Sequence, residues 1–416
     1  MSRWRWLLSQ LTRQLWLRTS IYALLGVVTA VLAIATEYVL PWDMPALGAD
    51  AVDSLLNIIA SSMLAVTTFS LSAMTSAYSA ATSNVTPRAT SLMIEDRVTQ
   101  NVLSTFVGSF IFAIVGIIVL RTGAYGPSGR TVLFCVTVVV VFLIVLNLLR
   151  WIDHITRFGR VGETTDRVEV ATRKALEERL ETPYLGGVPL MSDEENIPAD
   201  ALVVEAGQIG YLQHIDMVAL SDISKEQDCD IYVLHNPGTF FSIDTPLAWL
   251  RCAASGDETE RIREAMHTAF VIGDTRSFDQ DPRFGLAVMS EIGSRALSPA
   301  TNDPGTAIDV IGRNMRLLAF WAKGPDEVEP EYPRIHVASL EDGDLFEDAF
   351  MLMARDGAGL IEVQLRLQKC LGALSRLGSE QFRASARQHA ELSRARAEAA
   401  LEFEADRKRL LEAARG

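Results

Sequence analysis

Residues 61–83 read SSMLAVTTFSLSAMTSAYSAATS, a stretch long enough to cross the hydrocarbon of a bilayer although nearly half of it is Ser or Thr. At about 100° per residue, Ser61, Thr68, Ser72, Thr75, Ser79 and Thr82 fall on one flank of a helix. Met63, Val66, Ala73, Met74 and Ala77 take the opposite flank, which suits lipid or a neighbouring helix. Two readings of the hydroxyl stripe follow. Small hydroxyl residues let membrane helices approach closely and hydrogen-bond, which makes the stripe a packing face. Alternatively the stripe lines a polar pathway, as uncharged groups do in pores.

The chain has 416 residues, 49% hydrophobic, and a formal charge of −14, and nearly every long apolar run lies before Trp151. The acidity lies mainly after residue 180. A soluble part of that sign is a poor nucleic-acid binder, because phosphate contacts need clustered Lys and Arg. Cys135, Cys229, Cys252 and Cys370 show no paired spacing, so free thiols in a reducing compartment are expected rather than a disulfide framework or a zinc site.

Trp4, Trp6 and Trp16 among Arg3, Arg5, Arg13 and Arg18 predict an interfacial helix at the amino terminus. Residues 21–40 then supply about the 20 apolar positions that a spanning helix needs. Four arginines before this span and none in the loop after it place the amino terminus in the cytoplasm. The hydroxyl-striped helix returns inward and ends at Pro87. Residues 102–120 and 131–149 cross out and back, and Arg150, Arg157 and Arg160 close the last span inside. Glu37, Asp43, Asp50 and Asp53 gather at the outer end of the first two spans. They read either as a cation-concentrating mouth or as water-exposed helix ends. Asn147 in the fourth span is expected to bond another helix.

After the spans, residues 161–181 form a charged helix with a weak apolar side of Val168, Ala171, Ala175, Leu176 and Leu180. The stretch that follows, from Ala201 to Leu250, carries short apolar runs separated by turn signals such as Asn236-Pro237-Gly238, which predict a small β module. The order of its runs resembles the barrel-sandwich domains of biotinyl and lipoyl carriers, but no Lys occupies the expected hairpin, so no covalent cofactor is expected. Helical periodicity resumes after Glu258. Asp303 is a strong N-cap, Pro304 suits the first helical position, and Ile308, Ile311, Met315 and Leu318 share a side. Asp279, Asp281, Asn302, Asp303 and Asp309 could gather as oxygen ligands for a hard cation; capping is the alternative for most of them. Arg276 is expected to pair with one of these acids. The last residues are rich in Ala, Arg and Glu, which predicts an exposed helix with a thin apolar seam.

These features divide the chain into an interfacial helix (1–20), a four-helix transmembrane domain (21–150), a stalk helix and linker (151–190), a small β module (191–252), a helical domain (253–378) and a charged C-terminal helix (379–416). The fold class expected is a membrane α-helical part with four transmembrane helices plus a cytoplasmic α+β domain, which holds a barrel-sandwich-like module and a helical end.

The motifs Asn84-Val85-Thr86-Pro87-Arg88, Gly210-Tyr211-Leu212-Gln213, Thr275-Arg276 with Gln280-Asp281, and Ala296-Leu297-Ser298-Pro299 with Asn302-Asp303-Pro304 carry a resemblance. The chain is similar, over nearly its whole length, to the bacterial "domain of unknown function 2254" family of predicted membrane proteins. The resemblance implies a multi-pass bacterial inner-membrane protein with a cytoplasmic domain, and no assigned activity. Within it, Arg276, Gln280, Asp281, Ser298, Asn302 and Asp303 are the motif positions to examine.

No nucleophile elbow, phosphate loop, zinc pair or kinase set is present, so an enzyme is not expected, and neither a cofactor nor a resident metal. The functions in play are a homo-oligomeric ion channel or transport protein with a cytoplasmic regulatory domain, and a membrane-tethered sensor or scaffold. The partners expected are the lipid bilayer, further copies of the chain and, for a channel, inorganic ions.

Overall fold

The computed structural model describes residues 6, 15–39, 49–94, 96–123, 125–157, 159–190, 197–252, 257–325 and 328–414. Most of the predicted interfacial helix, with Trp4 and the arginines before residue 15, lies outside them. The chain forms two compact units. One comprises Leu7–Ser83 and Thr90–Glu163; the other comprises Met1–Trp6, Asn84–Ala89 and Thr164–Gly416.

The first unit is helical. Its elements are α1 (Leu15–Val39), α2 (Ala49–Asn84), most of α3 (Pro87–Ile94), α4 (Arg97–Arg121) and α5 (Pro127–Arg157). Three stretches are long and apolar enough to cross a membrane: Asp50–Ala80, Arg97–Arg121 and Gly129–Thr156. The apolar part of α1 that meets the same test of character is shorter, Trp16–Leu32. Thus three of the four expected spans are met among the described residues. Helices α1 and α4 touch backbone to backbone, because a Cβ on Gly26 would lie 2.9 Å from the Gly108 carbonyl. Such contact is how apolar helices gain packing energy where lipid competes for every larger side chain. Buried Tyr125 donates to the Ala30 carbonyl at 2.5 Å. Asn147, expected to bond another helix, instead donates to the Leu143 carbonyl one turn back at 2.9 Å.

The second unit is α+β. Helix α6 (Val161–Glu181) leads to β1 (Val188–Leu190), β2 (Leu202–Glu205), β3 (Gly210–Ile215), α7 (Met217–Glu226), β4 (Asp230–Val233), β5 (Phe240–Phe241) and β6 (Pro246–Arg251). Then come α8 (Asp257–Ala269), β7 (Phe270–Gly273), α9 (Pro282–Ala296), α10 (Pro304–Trp321), β8 (Ile335–Ala338), α11 (Asp342–Asp356), α12 (Ile361–Leu374), α13 (Glu380–Ala400) and α14 (Glu404–Ala413).

The strands do not close as a barrel-sandwich. They form a five-stranded sheet in the order β1-β8-β4-β6-β2 and a three-stranded sheet in the order β5-β3-β7. Strand β8 runs parallel to both β1 and β4. The apolar runs were visible in the chain, but β8 and β7 come from beyond the expected module, and no local pattern announces so distant a partner. Ile231, Val233, Ile335 and Val337 share one face of these parallel strands and lie in the core, while Tyr232 is buried on the other face with Leu190 and Trp249.

The antiparallel register of β4 and β6 pairs Asp230 with Arg251. One step outward it brings Cys229 and Cys252 together, with Cα atoms 4.6 Å apart, as a disulfide. This corrects the expectation that all four thiols are free: register, not spacing in sequence, joins them.

In the helical end Phe346 and Phe350 of α11 pack with Phe382 of α13, and all three are buried. The C-terminal helix breaks at residues 401–403, and its seam is Phe382, Ala386, Ala397, Leu401 and Leu410, packed in its own unit. Phe403 and Leu392, apolar residues of the same stretch, face outward.

Helices α6 and α9 cross tightly. A Cβ on Gly285 would lie 2.0 Å from Thr172 Oγ1, so Gly285→Val should cost about 1–3 kcal/mol by overpacking and lower the thermal midpoint in detergent. Gly312→Ala, a position with no atom within 4 Å of the added carbon, should leave the midpoint unchanged or raise it.

Candidate functional site

All six stripe residues, Ser61, Thr68, Ser72, Thr75, Ser79 and Thr82, are exposed along α2, whereas Met63 and Met74 on the opposite flank are buried. The periodicity thus reads the helix correctly, and the flank that packs within the unit is the apolar one. Three of the hydroxyls bond the backbone of their own helix. Ser61 donates to the Asn57 carbonyl at 2.9 Å, Thr68 to Leu64 at 2.9 Å and Thr75 to Ser72 at 2.8 Å. Each such hydrogen bond leaves lone pairs on the hydroxyl oxygen directed away from the helix, so the face is acceptor-rich and uncharged.

Of the acids expected at one end of this helix, Asp50 is exposed and Asp53 is met by Arg121 at 3.4 Å. Asp53 also accepts from the Asn57 amide at 3.0 Å. Asp43 lies outside the described residues, as does the side chain of Glu37. The expected loop without cations therefore receives one from the end of α4.

The soluble motifs separate into two places. In the first, Arg276 donates to both oxygens of Asp281, Nε at 2.7 Å and Nη2 at 2.9 Å. Asp281, 1% exposed, also accepts from the Phe284 N–H and so caps α9. Burial pushes its carboxyl up, while Arg276 and the Phe284 amide favour the charged form. Gly238 makes the close approach possible: it has φ +100°, and a Cβ there would fall 2.3 Å from Asp281 Oδ2. Gln280 accepts from the Ile215 N–H at 3.0 Å and ties the same loop to β3. Trp6 stacks on His214, ring centroids 5.4 Å apart, and donates to Asp279 at 3.0 Å.

In the second place, Ser298, Asn302 and Asp303 build the turn between α9 and α10. Asn302 takes φ +46°, a conformation that Asn tolerates better than most residues. Asp303 accepts from the Thr306 N–H at 3.1 Å and the Thr306 hydroxyl at 2.6 Å, and so caps α10. Asp309 is engaged with Arg313 at 2.6 Å. The oxygen-ligand cluster considered for these acids is not formed: no group of three or more His, Cys, Asp or Glu side chains gathers for a metal among the described residues.

Several contacts were not legible as motifs. Glu291, well inside α9, accepts from Thr86 at 2.9 Å and from Arg88 at 2.7 Å, so the segment that follows α2 in the chain is held by a helix two hundred residues later. Arg179 of α6 is 6% exposed and donates to Asn236 at 3.0 Å. Burial pulls its guanidinium down to about 10, partly offset by Asp281. Arg283 bonds Asp348 at 2.7 Å and also pairs with Asp344. A lone Arg179 on a helix of many charges carries no sign in sequence that it turns inward.

The Thr306 hydroxyl and amide hold the Asp303 carboxyl below the usual carboxylate range. A lowered native value means that the stabilisation is present above the ordinary carboxylate pKa and is lost as pH falls through the native one. Asp303→Ala should therefore cost about 1 kcal/mol near neutrality, and the gap from the parent protein in a denaturant titration should close in acid. Charge reversal at Glu291 should expose the Asn84–Ala89 segment to limited proteolysis, and Arg88→Glu combined with Glu291→Arg should restore protection.

An uncharacterized protein of Mycobacterium bovis is 26% identical over 251 residues, which cover 56% of this chain and 45% of that protein. An uncharacterized protein of Mycobacterium tuberculosis (strain ATCC 25618 / H37Rv) matches to the same extent. The chain thus aligns with less than half the length of these relatives. No solved structure matches. The family model for predicted membrane proteins designated DUF2254 matches residues 12–373, and the chain belongs to that family.

Proposed function

We propose that the protein is a homo-oligomeric ion channel or transport protein of the bacterial inner membrane, with four spans, both termini in the cytoplasm, and the α+β unit as its cytoplasmic regulatory domain. The observation that carries this reading is the outward face of α2. Six hydroxyl side chains are exposed on their own subunit, while Met63 and Met74 on the opposite flank are buried. Against lipid tails such a face gains little. Against the same face of further copies it encloses a passage lined by uncharged oxygens, which bind cations weakly enough to release them. Asp50, exposed at the start of α2, would raise the local cation concentration at the mouth.

A membrane-tethered sensor is the second reading. It is favoured by the contact of Glu291 with Thr86 and Arg88, which fastens the segment continuous with α2 to a helix of the α+β unit and would relay a change at that helix.

Reconstituted in liposomes, the protein should pass a cation under a K+, Na+ or H+ gradient. Replacing Thr68, Ser72, Thr75 and Ser79 together by Ala should reduce that flux several-fold while the protein stays folded, since Ala is the better helix former. A monomer in detergent and in the bilayer, or no flux from the parent protein under all three gradients, would overturn the pathway.

A further inference from the structure

We propose that the cavity among α1, α4 and α5 of the helical unit is a binding site for an uncharged, lipid-soluble molecule whose head is a carbonyl-bearing ring, the chemistry of a quinone. The cavity has a volume of about 200 Å³. Gly26 and Gly108, at the close crossing of α1 and α4, form part of its wall without side chains, and Val140, Leu143 and Asn147 of α5 form another part. Gly26, Ser109 and Leu143 stand at or next to the middle of their helices, so the cavity lies at mid-depth of the apolar stretches Arg97–Arg121 and Gly129–Thr156. The hydrocarbon core of a bilayer is about 30 Å thick, which keeps the head and ester groups of a phospholipid about 15 Å from that depth. Only a molecule that carries its polar group inside the hydrocarbon brings one to this wall.

Three side chains give the cavity its chemistry. Ser109 is 6% exposed, and neither its hydroxyl nor that of Tyr22 has a hydrogen bond among the described residues. Asn147 spends one amide N–H on the Leu143 carbonyl and keeps the other. By contrast, Thr29 and Thr105, also in the wall, donate to the Leu25 and Asn101 carbonyls at 2.7 and 2.8 Å. Water answers open donors at a wet surface, but hydrocarbon cannot, so open donors at mid-depth mark a site. Two hydroxyls and one N–H in need of acceptors select a ligand that accepts.

The rest of the wall narrows the class. No Asp, Glu, Lys, Arg or His lines the cavity, which favours a neutral ligand, since an ion at this depth would lack a counter-charge. Tyr22 and Phe112 supply aromatic rings for contact with a flat one. The volume falls below that of sites enclosing a whole drug-sized ligand, so it takes the ring and leaves an apolar tail in the bilayer. Helix α2 contributes no residue to the wall. The claim therefore rests on α4 and α5 spanning the bilayer, which is part of the reading above, and not on the α2 pathway.

The test is photolabelling of the full chain in phosphatidylcholine vesicles with a diazirine-bearing decyl benzoquinone, followed by peptide mapping. Unlabelled decyl benzoquinone, decylbenzene and dodecanol are the competitors. The label should be saturable, should map to the cavity segments of α1, α4 and α5, and should be displaced by the quinone alone. Ser109→Ala and Asn147→Leu should each raise the half-saturating concentration about five- to tenfold, the scale of one hydrogen bond. Val140→Trp, which fills the cavity from its half-buried side, should block labelling with the thermal midpoint unchanged. Label spread equally onto exposed Leu64 and Phe69 of α2 would mean bulk partition and overturn the site. Equal displacement by decylbenzene or dodecanol, or unchanged labelling in both polar variants, would overturn the assigned chemistry. Disulfide cross-linking between copies through Asn147→Cys that excludes the quinone would give the wall to a second copy instead, and so overturn the proposal. Limited proteolysis from each side of sealed vesicles reports separately whether the spans cross, and loss of ion flux leaves the labelling unaffected.

Discussion

The buried carboxylate of Asp281 is the point on which the α+β unit turns. It fastens Arg276 with two hydrogen bonds, starts α9 by capping it, and packs against a glycine whose backbone bends to admit it. A carboxylate removed from water to this extent survives only with each oxygen answered, and here the answers come from a guanidinium and a helix amide. Because the same carboxylate defines where α9 begins, it also sets the position of everything further along that helix, Glu291 included.

The membrane unit obeys a different constraint. Lipid offers no hydrophobic reward for bringing two apolar helices together, so close contact between small residues does the work, as where Gly26 meets Gly108. On α2 Met63 and Met74 pack inward and the six stripe hydroxyls turn outward, with Ser61, Thr68 and Thr75 closing on their own backbone. A polar stripe on a membrane helix can thus be quiet within its own subunit while offering oxygens to whatever lies beyond.

Between these two regimes runs the segment Asn84–Ala89. It continues directly from α2, yet it is compact with the α+β unit and is held there by Glu291. A motif of Asn, Thr, Pro and Arg at the end of an apolar helix reads in sequence as a helix stop. Its second role, as the grip of a distant acid, depends on a partner some two hundred positions away and has no local signature.

Local chemistry is strong where a few neighbouring residues decide the outcome. Three apolar spans, the gathering of the α2 hydroxyls on one flank, the buried side of α6 at Val168, Ala175 and Leu176, and the start of α10 at Asp303-Pro304 all follow from periodicity and capping. The pairing of Arg276 with an acid was legible too, since both lie in one loop, though not which acid. What the chain alone did not disclose is every feature made by register or by long return. Strand β8 inserts beside β4 a hundred residues after it, and the disulfide of Cys229 with Cys252 follows from the pairing of β4 with β6. The inward turn of Arg179 depends on Asn236 being carried to it by another strand's exit loop. Periodicity and caps are properties of a dozen adjacent residues, and so the amino-acid sequence by itself determined the elements and their faces. Strand partners, buried charges and the cavity are set by contacts between segments far apart in the chain, whose closure only the folded whole can select.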